Sequence, residues 1–171
     1  MDLNLADGSA TEVLGQALAR SLLDAVRSGA AAAGAVLYLQ GDLGAGKTTC
    51  ARSLLRALGA VGPIRSPTYT LVETYPLATL NCIHVDLYRL QTLGEVAELG
   101  LRDLVGPGCL LLVEWPERGG AELPAADLEL TLNYAGDGRQ ARLIARTTPG
   151  SRWLGNLGSD TSLRSYVSNL T

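Results

Sequence analysis

One glycine-rich segment has the residue types and spacing of a phosphate-binding loop. Leu39 to Cys50 (LQGDLGAGKTTC) contains the pattern G-x-x-x-x-G-K-T, with Gly41, Gly46, Lys47 and Thr48 in its four fixed places. Polyphosphates are bound by backbone N–H groups, and glycines let the chain approach them closely. The lysine ammonium can reach the β- and γ-phosphates, and the threonine hydroxyl can contact Mg²⁺. The pattern therefore predicts a nucleotide-binding loop, called the P-loop below.

The residues on either side of the P-loop support this prediction. Ala35 to Gln40 (AVLYLQ) has the composition of a short buried strand, and Thr48 to Leu58 has the pattern of a helix. A helix that begins at the loop directs the positive end of its dipole toward a bound anion. Lys47 is also the only lysine among the 14 lysine and arginine residues of the chain. This fits a position where an ammonium point charge is needed and a guanidinium is not equivalent.

Two carboxylates stand at the ends of hydrophobic runs that could lie beside the P-loop. Asp86 closes a predicted strand within Asn81 to Leu87 (NCIHVDL), and Glu114 closes another within Cys109 to Trp115 (CLLLVEW). Mg²⁺ bound to a nucleotide takes oxygen ligands, so it needs an acidic group at such a strand end. The alternative, a capping or surface carboxylate, stays open for each residue taken alone.

A hydroxyl-rich segment precedes the first of these strands. Arg65 to Thr70 (RSPTYT) offers the hydroxyls of Ser66, Thr68 and Thr70, which could approach a γ-phosphate or the water that attacks it. The alternative is a proline turn whose hydroxyls face solvent, since such residues are common in turns.

Other polar and aromatic residues near the strand ends have simpler interpretations. His84, the only histidine, lies between apolar neighbours and is predicted to be a core residue rather than a base. Tyr88 and Trp115 are predicted to pack. Arg89 could stabilise transferred phosphate or pair with Glu95, and the sequence leaves both open.

The remaining pattern predicts the elements that hold these groups. Together they indicate an α/β fold, a P-loop NTPase-like three-layer sandwich with a mainly parallel central sheet and a C-terminal β-hairpin. The further predicted elements are a helix from Ser9 to Arg27 with Ser9 and Thr11 as cap residues, a strand from Tyr69 to Tyr75, two short helical turns between Gly94 and Val105, and a hairpin formed by Asp127 to Tyr134 and Arg139 to Thr147.

Length and composition predict one domain. With 171 residues, of which 47% are hydrophobic, the chain can bury one sizeable core. We expect residues 1–148 to form this domain and 149–171 to be a flexible tail or a weak helix from Ser162. The sequence has no apolar run of membrane-spanning length and no signal-like start, so we expect a cytoplasmic protein that does not enter a membrane.

The charge and cysteine content exclude several classes of protein. The three cysteines are few and widely spaced, which favours reduced core thiols over a disulfide framework or a zinc site. The net charge is −3 and the pI is near 5.1, with no basic cluster in the sequence. A stand-alone nucleic-acid binder would carry such a cluster, so any RNA contact is expected to be shared with a partner.

The motifs together resemble the TsaE family, the small ATPases of bacterial tRNA threonylcarbamoyladenosine biosynthesis. The resemblance implies Mg²⁺-dependent ATP hydrolysis in a complex with TsaB-like and TsaD-like proteins, which attaches a threonylcarbamoyl group to an adenosine beside the tRNA anticodon. Together with the acidic charge and the lack of a basic cluster, it predicts that tRNA is met only indirectly, through the complex. The segments that carry it, between Thr11 and Arg146, are GDLGAGKTT from Gly41, SPTYTLVETY from Ser66, HVDLYRL from His84, the Glu95 to Asp103 segment, and LVEWPERG from Leu112.

The resemblance also assigns roles by position. Lys47, Asp86 and Thr68 would be catalytic, Thr48 and Glu114 would contact magnesium, and Asp86 would organise the water or the metal. Ser66 to Thr70 would form a switch loop. The nucleotide contacts would be Gly41, Asp42, Leu43, Gly44, Ala45, Gly46, Lys47, Thr48 and Thr49 in the loop, with Thr11 and Arg139 outside it.

Two other functions are compatible with the same motifs. The first is a small-molecule kinase, which would need an arginine-rich closing segment, whereas Gly94 to Val105 offers only Arg102. The second is a nucleotide-sensing interaction module that binds ATP or ADP without useful hydrolysis. Turnover in the presence of partners distinguishes this module from an ATPase subunit.

Overall fold

A seven-stranded sheet runs through the computed structural model, which describes residues 1–29, 31 and 33–168. The strands are β1 (Asp2–Leu5), β2 (Ala35–Gln40), β3 (Val72–Pro76), β4 (Asn81–Asp86), β5 (Cys109–Glu114), β6 (Leu128–Ala135) and β7 (Gly138–Ala145). The helices are α1 (Gly8–Arg27), α2 (Lys47–Ala57), α3 (Leu93–Glu98) and α4 (Thr148–Gly158), with short 3₁₀ turns at Pro116–Arg118, Gly120–Glu122 and Thr161–Leu163.

The strand order is β1-β7-β6-β2-β5-β4-β3. The four central strands β6, β2, β5 and β4 are parallel, and the outer pairs β1–β7, β6–β7 and β3–β4 are antiparallel. This confirms the predicted α/β fold with a parallel centre and a C-terminal hairpin. The short strand β1 was not predicted. Because parallel strands end at the same edge of a sheet, Asp86 and Glu114 become register partners at the edge where β2 enters the P-loop.

Strands β2 and β5 are apolar along most of their length because both of their faces are covered. On β5, Leu110 and Leu112 belong to a core that α1, α2 and α4 cover, and Leu111 and Val113 belong to a second core on the opposite face. Val96 of α3 lies in that second core. The three layers of the predicted sandwich are therefore present.

A glycine sets the spacing between the two long helices. A Cβ atom at Gly15 of α1 would lie 2.5 Å from the Cys50 carbonyl oxygen of α2, closer than any real contact, so only glycine allows this approach. The helix begins one residue before the predicted start, and its cap is Asp7, which accepts a hydrogen bond from the Ala10 N–H at 2.8 Å. The predicted cap residues Ser9 and Thr11 lie inside the first turn instead.

The sequence prediction of a flexible tail from residue 149 is wrong for the part of the tail that the structure describes. Trp153 of α4 is 1% exposed, and its indole N–H donates to the Leu18 carbonyl at 3.1 Å and to the Ser21 hydroxyl at 3.0 Å. Beyond α4, Val167 forms a β-bridge with Leu3 at the outer edge of β1. Residues 169–171 lie outside the described part of the chain.

The cysteine side chains belong to the interior. Cys50 and Cys82 are buried free thiols, and Cys109 is a half-buried one. Burial raises the pKa of Cys50 to about 12, so this thiol stays protonated at neutral pH. Among the described residues, no helix is both long and apolar enough to cross a membrane.

The burial of α4 yields a stability prediction. Truncating a buried tryptophan leaves a cavity and removes apolar contact, so we expect Trp153→Ala to lower the free energy of unfolding by about 3–5 kcal/mol. The control is Arg152→Ala at the exposed neighbouring position, which should change it by less than about 0.5 kcal/mol. Urea unfolding followed by circular dichroism measures both. A loss below about 1 kcal/mol for the tryptophan variant would mean that α4 does not unfold cooperatively with the domain.

Candidate nucleotide-binding site

The P-loop connects the end of β2 to the first residue of α2 through glycines that no other residue could replace without strain. Gly41, Gly44 and Gly46 have φ angles of +131°, +79° and +110°. A Cβ atom at Gly41 would lie 2.1 Å from the Leu132 carbonyl oxygen of β6. The motif glycines are therefore required by the path of the backbone as well as by the approach of a ligand.

The Lys47 side chain folds back onto the P-loop and binds two of its carbonyl groups. Its ammonium donates to the Gly41 carbonyl at 2.6 Å and to the Asp42 carbonyl at 2.9 Å, and it lies 3.8 Å from the centroid of the Trp115 ring. Burial lowers the pKa of Lys47, and the nearby Glu114 carboxylate opposes this shift. An ammonium has three N–H donors, so one donor is left for an anion in the cleft.

The C-terminal hairpin supports the P-loop from the other side. Arg139 donates from Nε to the Ala45 carbonyl at 3.1 Å and from Nη2 to the Gly44 carbonyl at 3.3 Å, and the Tyr134 hydroxyl donates to the Leu43 carbonyl at 2.8 Å. Carbonyls held in this way point to the hairpin, and they do not repel an anion in the cleft. The sequence proposed Arg139 as a nucleotide contact, and the structure adds this contact with the loop itself.

A buried carboxylate lies beside the first turn of α2. The Thr48 hydroxyl contacts both carboxylate oxygens of Glu114, Oε1 at 3.0 Å and Oε2 at 2.8 Å. Glu114 Oε1 is also 2.9 Å from Nε2 of His84, and both of these side chains are buried. The fully buried position of His84 agrees with the prediction of a core residue, but its contact with Glu114 was missed.

The second carboxylate holds the hydroxyl-rich segment. Asp86 Oδ2 accepts hydrogen bonds from the Thr68 hydroxyl at 2.8 Å and from the Ser66 hydroxyl, and Oδ1 accepts from the Tyr88 N–H at 2.9 Å. Thr70 takes no part, because its hydroxyl donates to the exposed Glu73 carboxylate at 3.3 Å. Of the three predicted hydroxyls, those of Ser66 and Thr68 therefore bind Asp86.

Two residues that adjoin segments of the site have strained backbones. Leu71 and Trp115 are the non-glycine residues of the described chain with positive φ, at +65° and +59°. Leu71 follows the hydroxyl-rich segment, and Trp115 follows Glu114 directly. Such conformations cost about 1–3 kcal/mol each and are concentrated at functional sites. In this conformation, the Trp115 ring lies over Lys47.

These groups surround a cleft of about 350 Å³. A second cavity of about 220 Å³ adjoins it on the other side of the P-loop and is lined by Thr11 and Arg139 among others. Thr49 borders both cavities. The structure therefore brings the predicted site residues together in two adjacent groups, except Gly41 and Asp42, which line neither cavity and bind Lys47 through their carbonyls. The residues that line the larger cleft are Leu43, Gly44, Gly46, Lys47, Thr48, Thr49, Ser66, Thr68, Asp86, Tyr88, Glu114 and Trp115.

Several neighbours of the site were not assigned to it from the sequence. Tyr88 and Trp115 were predicted only to pack, yet they line the cleft, with ring centroids 5.0 Å apart. Their positions within two residues of the strand-end acids Asp86 and Glu114 were the available signal. Arg89 does not pair with Glu95, which caps α3. Its guanidinium instead lies 4.0 Å from the centroid of the Tyr69 ring.

The donor set fits a magnesium ion held next to a polyphosphate. Thr48 offers a hydroxyl oxygen, and Glu114 and Asp86 offer carboxylate oxygens at neighbouring strand ends. Mg²⁺ prefers such hard oxygen ligands and is usually held by one or two carboxylates together with phosphates. Lys47 supplies positive charge beside them, so the site can hold both an anion and a cation.

A parallel sheet, a glycine loop that leads into a helix and acids at adjacent strand ends define a P-loop NTPase-like fold. The crystal structure of Bacillus subtilis YdiB has this architecture and superimposes with a TM-score of 0.72 at 26% identity, over 92% of this chain and 93% of that one. The family model for threonylcarbamoyl adenosine biosynthesis protein TsaE matches residues 5–144. The chain belongs to the TsaE family.

Two relatives illustrate the similarity. The tRNA threonylcarbamoyladenosine biosynthesis protein TsaE of Haemophilus influenzae is 45% identical over 115 residues, which cover 67% of this chain and 73% of that protein. The protein of the same name from Bacillus subtilis is 37% identical over 120 residues, which cover 70% of this chain and 73% of its own. The sequence resemblance to this family is confirmed.

Proposed function

We propose that this protein binds Mg²⁺ and ATP in the cleft, hydrolyses the ATP, and thereby serves the formation of threonylcarbamoyladenosine in tRNA. The observation that carries the proposal is the convergence of one ammonium, one hydroxyl and two buried carboxylates on the P-loop, from Lys47, Thr48, Asp86 and Glu114. The names of the relatives supply the tRNA modification.

In the proposed mechanism, the P-loop orients the β- and γ-phosphates through its backbone N–H groups and the positive end of α2. Thr48 and Glu114 would hold Mg²⁺, which when bound neutralises charge on the phosphate oxygens. Lys47 stabilises the charge that develops as the bond to the γ-phosphorus breaks and ADP leaves. Asp86, with the Thr68 hydroxyl, orients the water that forms the new bond to phosphorus.

The proposed switch loop, residues 66–70, lines the cleft through Ser66 and Thr68, which we expect to face the γ-phosphate. Its Ser66 and Thr68 hydroxyls both bind one carboxylate, that of Asp86. To donate to a γ-phosphate oxygen, either hydroxyl must release this carboxylate, because it has only one hydrogen to donate. The loop therefore has a defined alternative state, which is what a nucleotide-dependent switch requires.

The kinase alternative finds little support. The segment that would have to act as a lid packs into the second core through Val96 and Leu101. Its arginine, Arg102, donates a hydrogen bond to the Ala121 carbonyl. An arginine engaged in this way is not free to close over a phosphoacceptor.

The proposed function also requires partner proteins. The chain is acidic, so we infer that tRNA is held by other subunits, the TsaB-like and TsaD-like proteins. Within the switch loop, Tyr69 is 82% exposed and stacks against Arg89. Exposed aromatic and arginine side chains are enriched at protein interfaces, so this pair is where we expect a partner to contact and order the loop.

The P-loop lysine provides the first test of the proposal. Hydrogen bonds to charged groups contribute about 1.5–3 kcal/mol, so Lys47→Ala should weaken ATP binding by roughly ten- to a hundredfold. The matched control is Arg56→Ala on the exposed side of the same helix. Isothermal titration calorimetry measures both affinities, and ATP binding of normal strength by the lysine variant would refute the site.

The two carboxylates should have separable roles. We expect Glu114→Gln to lose most of the strengthening of ATP binding by Mg²⁺, because a metal ligand is removed. We expect Asp86→Asn to retain that strengthening and to lose turnover, because a group that orients water acts in the transition state. The control is Glu117→Gln at an exposed position three residues beyond Glu114. Titrations with Mg²⁺ and with EDTA, together with phosphate-release assays, decide between these roles, and equal losses in both assays would contradict the division.

Partner dependence is the third test. Without an arginine supplied to the γ-phosphate, P-loop enzymes are slow, so TsaB-like and TsaD-like proteins with tRNA should raise ATP turnover at least roughly tenfold. The isolated chain should bind tRNA no more tightly than about micromolar at physiological salt. Adding the same partners to Lys47→Ala controls for contaminating ATPase. Full turnover by the lone protein would point away from a partner-activated subunit.

A further inference from the structure

His84 lies on the same face of the sheet as the two acids of the site. Side chains alternate along a strand, so His84 and Asp86, two residues apart on β4, point to one face. Leu112 of β5 is the register partner of His84, and Glu114 follows it by two residues on that same face. The only histidine of the chain therefore lies on the same face as Glu114, the candidate metal ligand, and is level with the residue two positions before it.

The histidine makes one hydrogen bond, and this bond goes to Glu114. Nε2 lies 2.9 Å from Oε1, and the two residues are 0% and 1% exposed. A carboxylate only accepts, so Nε2 carries the hydrogen. Among the described residues, no hydrogen-bond partner reaches Nδ1. Nothing else in the described chain thus uses the polar groups of this imidazole.

The Glu114 carboxylate is therefore fixed from two directions. Thr48 contacts it from the first turn of α2, and His84 contacts it from within the sheet. A Thr48 hydroxyl that bound a metal ion through an oxygen lone pair could still donate its hydrogen to Glu114, so both contacts would then hold the carboxylate. Donors behind a ligating carboxylate commonly set its orientation and its affinity for the metal.

A purely structural role does not explain this pair. On either side of His84, the interior positions of β4 are filled by the apolar side chains of Ile83 and Val85. Burying a carboxylate with an imidazole carries a desolvation cost that an apolar residue of similar volume avoids. A requirement for a fixed orientation of the Glu114 carboxylate in metal binding accounts for this desolvation cost.

We propose that His84 is a positioning residue that orients the Glu114 carboxylate for the magnesium ion of bound ATP. The inference rests on the proposed ATPase function, and it adds a residue that touches neither the nucleotide nor the metal. It assigns to His84 a contribution to Mg²⁺ affinity and none to the binding of metal-free nucleotide.

Three substitutions separate positioning from packing. In His84→Gln, the side-chain amide nitrogen lies at about the reach of Nε2, so the donor is kept. In His84→Asn, the amide nitrogen lies at the reach of Nδ1 and falls short of Glu114. His84→Leu removes the donor at similar volume. Each variant is titrated with Mg²⁺ at fixed ATP by calorimetry, and again with ATP in EDTA, and thermal unfolding records the stability of each one.

We expect the Mg²⁺ concentration that gives half of the strengthening of ATP binding to rise about tenfold or more for the Asn and Leu variants. The Gln variant should stay within about twofold of the wild type, and ATP affinity in EDTA should be unchanged in all three. If the Leu variant does not fold, the Gln and Asn pair gives the same comparison.

An unchanged Mg²⁺ requirement in the Asn and Leu variants would overturn the inference and leave the proposed function standing. Equal losses in all three variants, with ATP affinity in EDTA also lost, would show a structural role only and would overturn it as well. A wild-type protein whose ATP binding does not depend on Mg²⁺ would instead overturn the metal site itself, and the inference would fall with it.

Discussion

The parallel pairing of β2 with β5 and of β5 with β4 is the constraint on which the site depends. It places Leu39, just before the P-loop, beside Glu114, and Glu114 beside Asp86. Backbone hydrogen bonds continue beyond the strand ends, from the Trp115 N–H to the Leu39 carbonyl at 3.2 Å and from the Leu87 N–H to the Glu114 carbonyl at 3.1 Å. A slip by one residue would turn each acid to the opposite face, away from α2.

The buried charges follow from this arrangement. The Asp, Glu, Lys and His side chains that are buried in the described chain are Lys47, His84, Asp86 and Glu114, and all four lie at the site. Charged groups are rarely buried unless they are paired, and each of these four has a polar partner. Apart from the hydroxyl residues Thr11, Ser21 and Ser53, the other buried side chains of the described chain are apolar. Stability therefore comes mainly from the two cores, and the site adds the polar groups that the proposed chemistry needs.

The sequence predicts β2, β4 and β5 to within one residue because burial on both faces makes each a largely apolar run, interrupted in β4 by His84. It predicts the P-loop because backbone geometry requires the glycines. The sequence does not predict α4, because this segment contains three glycines and a proline and is held in place chiefly by Trp153. It also misses the position of the Trp115 ring, which depends on a positive φ that nothing in the local sequence requires.

The two edges of the sheet differ in how their backbone groups are satisfied. At one edge, the segment that follows α4 lies against β1, where the Asn4 N–H donates to the Tyr166 carbonyl at 2.7 Å and the Ser168 N–H donates to the Asp2 carbonyl at 3.1 Å. At the other edge, β3 has only five residues and ends at Pro76, which has no N–H to offer. Long, flat unpaired edges are templates on which sheets of neighbouring molecules join and aggregate. Among the described residues, one edge is thus covered and the other is short and ends at a proline, which disfavours the joining of this sheet to that of a second molecule.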